Sequence, residues 1–195
     1  MAERTEKVIK NRNYRYPVSV VVERPDLLEL GDAGARLNVE LMLSAPEGVP
    51  SRRLRRLGAA ERSALRKIAA EEDPARGILL QKAALGALGQ VKDHAASLVI
   101  ARLAQSPAVD MRVRAEAIAS LAEIGGEGTR EFMLDVIESG QPEDRAQAAL
   151  ALAKLGTVAD VGLLEAIAET EDTFVGKLAG RAATTLREKL HLEGS

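Results

Sequence analysis

One ten-residue pattern occurs four times between residues 82 and 189 of this chain. Its central leucines are separated by 33, 31 and 34 residues, and they are Leu88, Leu121, Leu152 and Leu186. Four residues before each leucine stands an alanine: Ala84, Ala117, Ala148 and Ala182. Positions four apart share one face of an α-helix. The pattern therefore predicts four similar helices in a repeat array, which a single isolated repeat could not stabilise.

A second apolar helix is predicted before each copy of the pattern. The four candidates are residues 59–71, 93–105, 127–139 and 158–169, so the chain should form four helix pairs. Glycines that follow apolar runs are typical C-terminal caps, here Gly89, Gly125 and Gly156. Prolines near a first helical turn mark helix starts, here Pro74, Pro107 and Pro142. The loop at 125–128 connects two helices, because no Lys-Ser/Thr follows it as a phosphate-binding loop would need.

Two stretches resemble a known repeat family. Residues 110–125 (DMRVRAEAIASLAEIG) and 142–156 (PEDRAQAALALAKLG) are similar to the short HEAT-like repeats first described in phycobilin lyases. The resemblance implies a mainly α protein, a right-handed α-solenoid of about four helix pairs over residues 58–195. It also implies that the second helix of each pair lines the concave side. Such repeats occur in scaffolds, adaptors, lyase subunits and metal oxygenases, so the fold does not fix the function.

The first 57 residues differ from the rest of the chain. Valines and leucines alternate with polar residues over 18–23 and 37–43, which predicts two strands. This small β-containing segment matches no family. A strand pair is marginal alone in water. It is expected either to cap the first helix pair or to pair with another chain, which offers a route to a homo-oligomer.

Composition excludes most catalytic chemistry. The chain has no cysteine and only two histidines, His94 and His191, without the paired His-Glu dipeptides of the related iron hydroxylases. It has no Gly-x-Ser-x-Gly or Walker motif. We therefore predict that the chain is not an enzyme and holds no catalytic residue, metal or cofactor. Aromatic residues are 2% of the chain, so alanine, leucine, isoleucine and valine must fill its core.

Charge argues against nucleic acid as a partner. The net charge is −2, and residues 58–195 hold 16 Lys/Arg against 21 Asp/Glu. Proteins that bind nucleic acid need a strong positive field. The start of the chain has no apolar signal region, and no stretch approaches the ~18 apolar residues of a membrane span. A cytoplasmic protein is the expectation.

Two surfaces are candidates for binding a protein partner. The first is a ridge on the second helices, at the positions five before, one before and two after each leucine. It consists of Gln90, Glu116, Ser120, Glu123, Gln147, Lys154, Arg181 and Glu188. The second is the N-terminal arm with the basic run after the strands, namely Tyr14, Arg15, Tyr16, Arg52, Arg53, Arg55 and Arg56. Tyrosine and arginine are favoured at interfaces.

Arg114 and Arg145 recur seven residues before their leucines, and we expect them to bridge adjacent repeats. The leading functional hypothesis is a non-catalytic protein–protein interaction scaffold or adaptor, as a structural subunit of a larger assembly. The alternative, which only the family resemblance supports, is a lyase or chaperone-like subunit for a tetrapyrrole protein.

Overall fold

The computed structural model describes residues 6–9, 18–21, 57–70 and 78–191. Within these residues the chain forms four consecutive helix pairs. The first helices of the pairs are α1 (Ala59–Ala69), α3 (Ser97–Gln105, after a 3-10 turn at His94–Ala96), α5 (Thr129–Ser139) and α7 (Val158–Thr170). The second helices are α2 (Ile78–Gln90), α4 (Met111–Ile124), α6 (Pro142–Leu155) and α8 (Phe174–Lys189). The four predicted helix pairs are therefore present.

The helix ends confirm some predicted caps and correct others. Gly125 and Gly156 are the C-caps of α4 and α6, as predicted. Gly89 is not a cap, because α2 continues through it to Gln90. Pro142 occupies the first turn of α6. Pro107 does not begin a helix, since α4 starts at Met111 with Asp110 as its N-cap.

The loop between α4 and α5 is the inter-helix connection that the sequence predicted. Its glycines Gly125, Gly126 and Gly128 all have positive φ angles, which residues with a side chain rarely adopt. Pro74 lies outside the described residues.

The repeats are held together through their second helices. Helix α4 packs against α2, α6 against α4, and α8 against α6, while consecutive first helices make far fewer contacts with each other. The repeat leucines and their alanines are buried, and Ala84, Ala117, Leu88 and Leu152 are wholly inaccessible. Alanine at these positions lets the second helices approach closely. The second helices therefore form the main contact between neighbouring repeats.

The N-terminal residues that the structure describes form two strands. β1 (Glu6–Ile9) pairs antiparallel with β2 (Val18–Val21), with Glu6 opposite Val21 and Ile9 opposite Val18. The predicted strand at 37–43 lies outside the described residues, so the N-terminal β-containing segment as a whole stays a prediction. The described residues give no support to an oligomer formed through these strands.

None of the helices in the described part of the chain combines the length and the apolar character that crossing a membrane requires.

Candidate partner-binding surface

The predicted ridge lies on the outward faces of the four second helices. Five of its members are exposed: Gln90, Glu123, Lys154, Arg181 and Glu188. Glu116 and Gln147 are partly buried. Because consecutive second helices pack directly on one another, their outward faces follow one another along the array. The structure therefore brings seven of the eight predicted residues to one side of the stack.

Ser120 does not belong to this surface, because it is 2% exposed. Its position, one residue before the leucine, is also buried at Ala87 and Ala151. At about 100° per residue this position lies to the side of the apolar stripe and not opposite it. Ser120 instead faces Gly89 of α2, where a methyl group on the glycine would lie 3.1 Å from the Ser120 Cα.

The sequence reasoning missed the position two residues before each leucine. Its occupants are Gly86, Ala119, Leu150 and Thr184, which are half-buried except for the exposed Thr184. About 160° separates this position from the leucine, so it lies nearly opposite the apolar stripe. The same helical arithmetic, applied to every offset, would have found it. The binding stripe, as we define it, consists of these four residues and the seven accessible ridge residues.

The charges of the binding stripe are mixed and partly paired. Lys154 of α6 forms an ion pair with Glu123 of α4. The Lys189 ammonium donates a hydrogen bond to the carbonyl of Lys154, which links α8 to α6. Arg181 and Glu188 carry one charge of each sign on α8. A stripe of this kind offers polar contacts along its length and does not create the positive field that a polyanion needs.

Glu116 is the titrating group that burial affects most clearly on this stripe. Burial raises the pKa of Glu116, while nearby Lys82 acts in the opposite direction. The carboxylate lies over Gly86 of α2, with Oε1 3.0 Å from where a glycine Cβ would stand. A larger residue at position 86 would displace this carboxylate. Gly86 therefore makes room for Glu116 in the groove between α2 and α4.

Arg114 and Arg145 bridge neighbouring repeats, as predicted. The Arg114 Nε donates to Asp144 Oδ2 of α6 at 2.9 Å, and its Nη1 donates to the Val109 carbonyl at 2.7 Å. The Arg145 Nε donates to the Ile137 carbonyl at 2.7 Å, and its Nη1 donates to Glu171 Oε2 at 3.2 Å. Each guanidinium thus donates to a backbone carbonyl earlier in its own repeat and to a carboxylate of the next repeat.

The first helices carry equivalent links that the sequence analysis did not identify. Arg66 of α1 donates to Asp93 at 3.3 Å, and Arg130 of α5 donates to Asp160 of α7 at 2.8 Å. Burial favours a higher pKa for Asp160, but the hydrogen bonds from Arg130 and Thr157 outweigh it and lower that pKa. The partners Arg130 and Asp160 are 30 residues apart, close to one repeat, which is the signal that could have located them.

The N-terminal candidates lie outside the residues that the structure describes. Their role in binding therefore stays a prediction. These candidates are Tyr14, Arg15, Tyr16, Arg52, Arg53, Arg55 and Arg56.

His94 and His191 are both exposed. Among the residues that the structure describes, no group of three His, Cys, Asp or Glu side chains could hold a metal ion.

Comparison with known proteins agrees with this architecture. Residues 99–184 match the family model for HEAT repeats. The matched stretch runs from α3 into α8 and so spans the second, third and fourth helix pairs. The match is to HEAT repeats in general, and the narrower likeness to the phycobilin-lyase type stays a prediction. Among curated proteins, no sequence matches the chain.

Proposed function

We propose that this protein, whose residues 99–184 match the family model for HEAT repeats, is a non-catalytic protein–protein interaction scaffold or adaptor and a structural subunit of a larger assembly. HEAT repeats generally mediate protein–protein interaction. The observation that carries the proposal is the binding stripe. Four stacked second helices present small and polar residues on one side of a single array. A surface repeated at every helix pair suits an elongated partner segment that crosses several repeats.

The chemistry of the stripe indicates the kind of partner segment it would take. Ala119 leaves room for backbone to approach closely, while Glu123, Lys154 and Arg181 offer charged groups of both signs along the stripe. We expect the partner to be a protein segment, helical or extended, that places small apolar residues along the stripe's centre. Its flanks should carry charges of both signs, since complementary charges fix register and partner choice more than they raise affinity.

A matched pair of variants tests this proposal. Ala119→Arg fills the centre of the stripe on α4, whereas Ala166→Arg makes the same change at an exposed site on the first helix α7. We expect affinity-tagged wild type and Ala166→Arg to retain the same partner from native extract, identified by mass spectrometry. Ala119→Arg should lose that partner, because a long charged side chain now occupies the contact.

Thermal unfolding of both variants serves as the folding control for this experiment. Capture of no protein above an untagged control would contradict the scaffold proposal. Equal capture by Ala119→Arg and wild type would show that the partner binds elsewhere than on the stripe.

A further inference from the structure

Helix α7 is apolar on its exposed side as well as on its buried side. Over its first nine positions the outward residues carry no charge, and they are Val158, Ala159, Gly162, Leu163 and Ala166. Val158 is 59% exposed and Leu163 is 38% exposed. A helix that is apolar all round is typically covered by neighbours, whereas a surface helix carries charged or polar residues on its outer side. No described residue covers this surface, which we call the α7 face.

The apolar surface continues from the α7 face toward α5. The Arg130 Nη2 donates to Asp160 Oδ1 at 2.6 Å, so the sides of α5 and α7 that carry these residues face each other. Leu134 stands about one turn after Arg130 on α5. Ile167 stands about two turns after Asp160 on α7, so both apolar residues lie on the facing sides. Both are half-buried, and they extend the α7 face into an apolar strip between the two helices.

The border of this surface is acidic. Its exposed carboxylates are Glu131, Asp135 and Glu138 on the outward side of α5 and Glu169 near the end of α7. Arg130 is the only cation on these two helices, and both oxygens of Asp160 already accept hydrogen bonds from it. The four carboxylates therefore give the border a charge of −4. Like charges would meet if a second copy of this surface covered it, so the charges favour a basic occupant.

We propose that the α7 face docks a short amphipathic helix from a partner protein, with small apolar residues on one side and lysine or arginine on its flanks. The nine positions of the face extend about 13 Å, so an occupant of two to three turns covers it. Gly162 has nothing within 4 Å of an added methyl group, so the centre of the face is open to a second helix. The basic flanks would lie against the acidic border.

This inference goes beyond the binding stripe. The α7 face belongs to a first helix, whereas the stripe lies on the outward sides of the second helices. The two surfaces are therefore on opposite sides of the array, and an occupant of one does not exclude an occupant of the other.

The test titrates the full ¹⁵N-labelled chain with a synthetic helical peptide of ~14 residues, about four turns. The peptide carries leucine and alanine on one side and lysine on both flanks. We expect saturable amide shifts centred on residues 158–169, and weaker binding as salt rises, because exposed charges supply part of the attraction. A matched peptide with glutamate in place of every lysine should not bind.

Three variants of the chain locate the response. Ala166→Arg fills the centre of the α7 face and should weaken peptide binding about tenfold, as changes at the centre of an interface do. The same variant should keep a partner held by the binding stripe. Ala119→Arg changes the stripe and should bind the peptide as wild type does, so the two proposals fail separately. Glu138→Gln combined with Glu169→Gln removes half of the border charge and should weaken binding about threefold.

Several outcomes would overturn the proposal. One is equal binding of the lysine and glutamate peptides, which would show that the acidic border does not select the occupant. Another is peptide binding that Ala166→Arg leaves unchanged. A third is a concentration-dependent dimer of the chain alone that Ala166→Arg abolishes, because a second copy would then be what covers the α7 face.

Discussion

At the scale of the residue, the clearest electrostatic feature is Glu116, whose pKa burial raises against the opposing effect of Lys82. A raised pKa means that ionisation is harder in the folded state than in the unfolded chain. The resulting loss of stability is present above the folded-state pKa. It disappears below the unfolded-chain value of about 4.3, where both states are protonated. Glu116 therefore makes the array less stable at neutral pH than an uncharged side chain of its shape would.

We expect Glu116→Gln to raise the free energy of unfolding at pH 7, since glutamine keeps the shape without the cost of burying a charge. The gain should fade as pH falls through the raised folded-state pKa of Glu116, and it should be gone below about 4. Urea unfolding at several pH values measures both effects. Glu188→Gln, at an exposed stripe position on α8, is the control and should show no such gain. A Glu116→Gln variant less stable than wild type at pH 7 would show that the attraction to Lys82 dominates.

At the scale of the element, two helical glycines make a matched comparison. Gly89 lies where α2 and α4 cross, and an added methyl group would meet the Ser120 Cα at 3.1 Å. Gly162 lies on the exposed side of α7 with nothing within 4 Å of an added methyl group. Alanine improves helix propensity by about 1 kcal/mol at either site. Only at Gly89 is this gain opposed by crowding against backbone, which typically costs ~1–3 kcal/mol.

We expect Gly162→Ala to stabilise the protein by about 0.5–1 kcal/mol. Gly89→Ala should destabilise it by about 1 kcal/mol, because neither backbone can move away without separating α2 from α4. The midpoints of urea unfolding give both values. If the two substitutions raise stability alike, the second helices are not held at the close distance that the structure shows.

The sequence predicts a residue's place correctly where helical periodicity alone determines that place. Buried leucines and alanines follow from helical periodicity alone, so Leu88 and Ala84 were placed correctly. Ser120 was misassigned although helical geometry at about 100° per residue already places it to the side of the apolar stripe. Gly89 was misassigned because its surroundings depend on the angle and distance at which two helices cross, which periodicity does not contain. The apolar strip between α5 and α7 was missed for a similar reason. Its residues come from two repeats that meet only after the helices stack.

At the scale of the whole molecule, each described repeat is stabilised mainly by its immediate neighbours. Each repeat contacts its neighbours, and the inter-repeat links follow the same rule, as Arg114 with Asp144 and Arg145 with Glu171 show. The arginine position is not continued in α8, where Ala179 occupies it, and Lys189 replaces the apolar residue that ends the earlier copies. Among the described residues, the fourth helix pair is thus tied to the array through the third pair, and it should open more readily than the middle.

Truncation of one repeat leucine in the middle and one at the end tests this difference. Leu121→Ala in α4 and Leu186→Ala in α8 each remove a buried side chain, and each should cost about 2–5 kcal/mol. In native-state hydrogen exchange, Leu186→Ala should lower the protection of α7 and α8 while leaving α2 to α4 nearly unchanged, because the end can open alone. Leu121→Ala should lower protection throughout, since it weakens contacts on both sides. Uniform loss of protection in both variants would instead mean that the four pairs unfold as one cooperative unit.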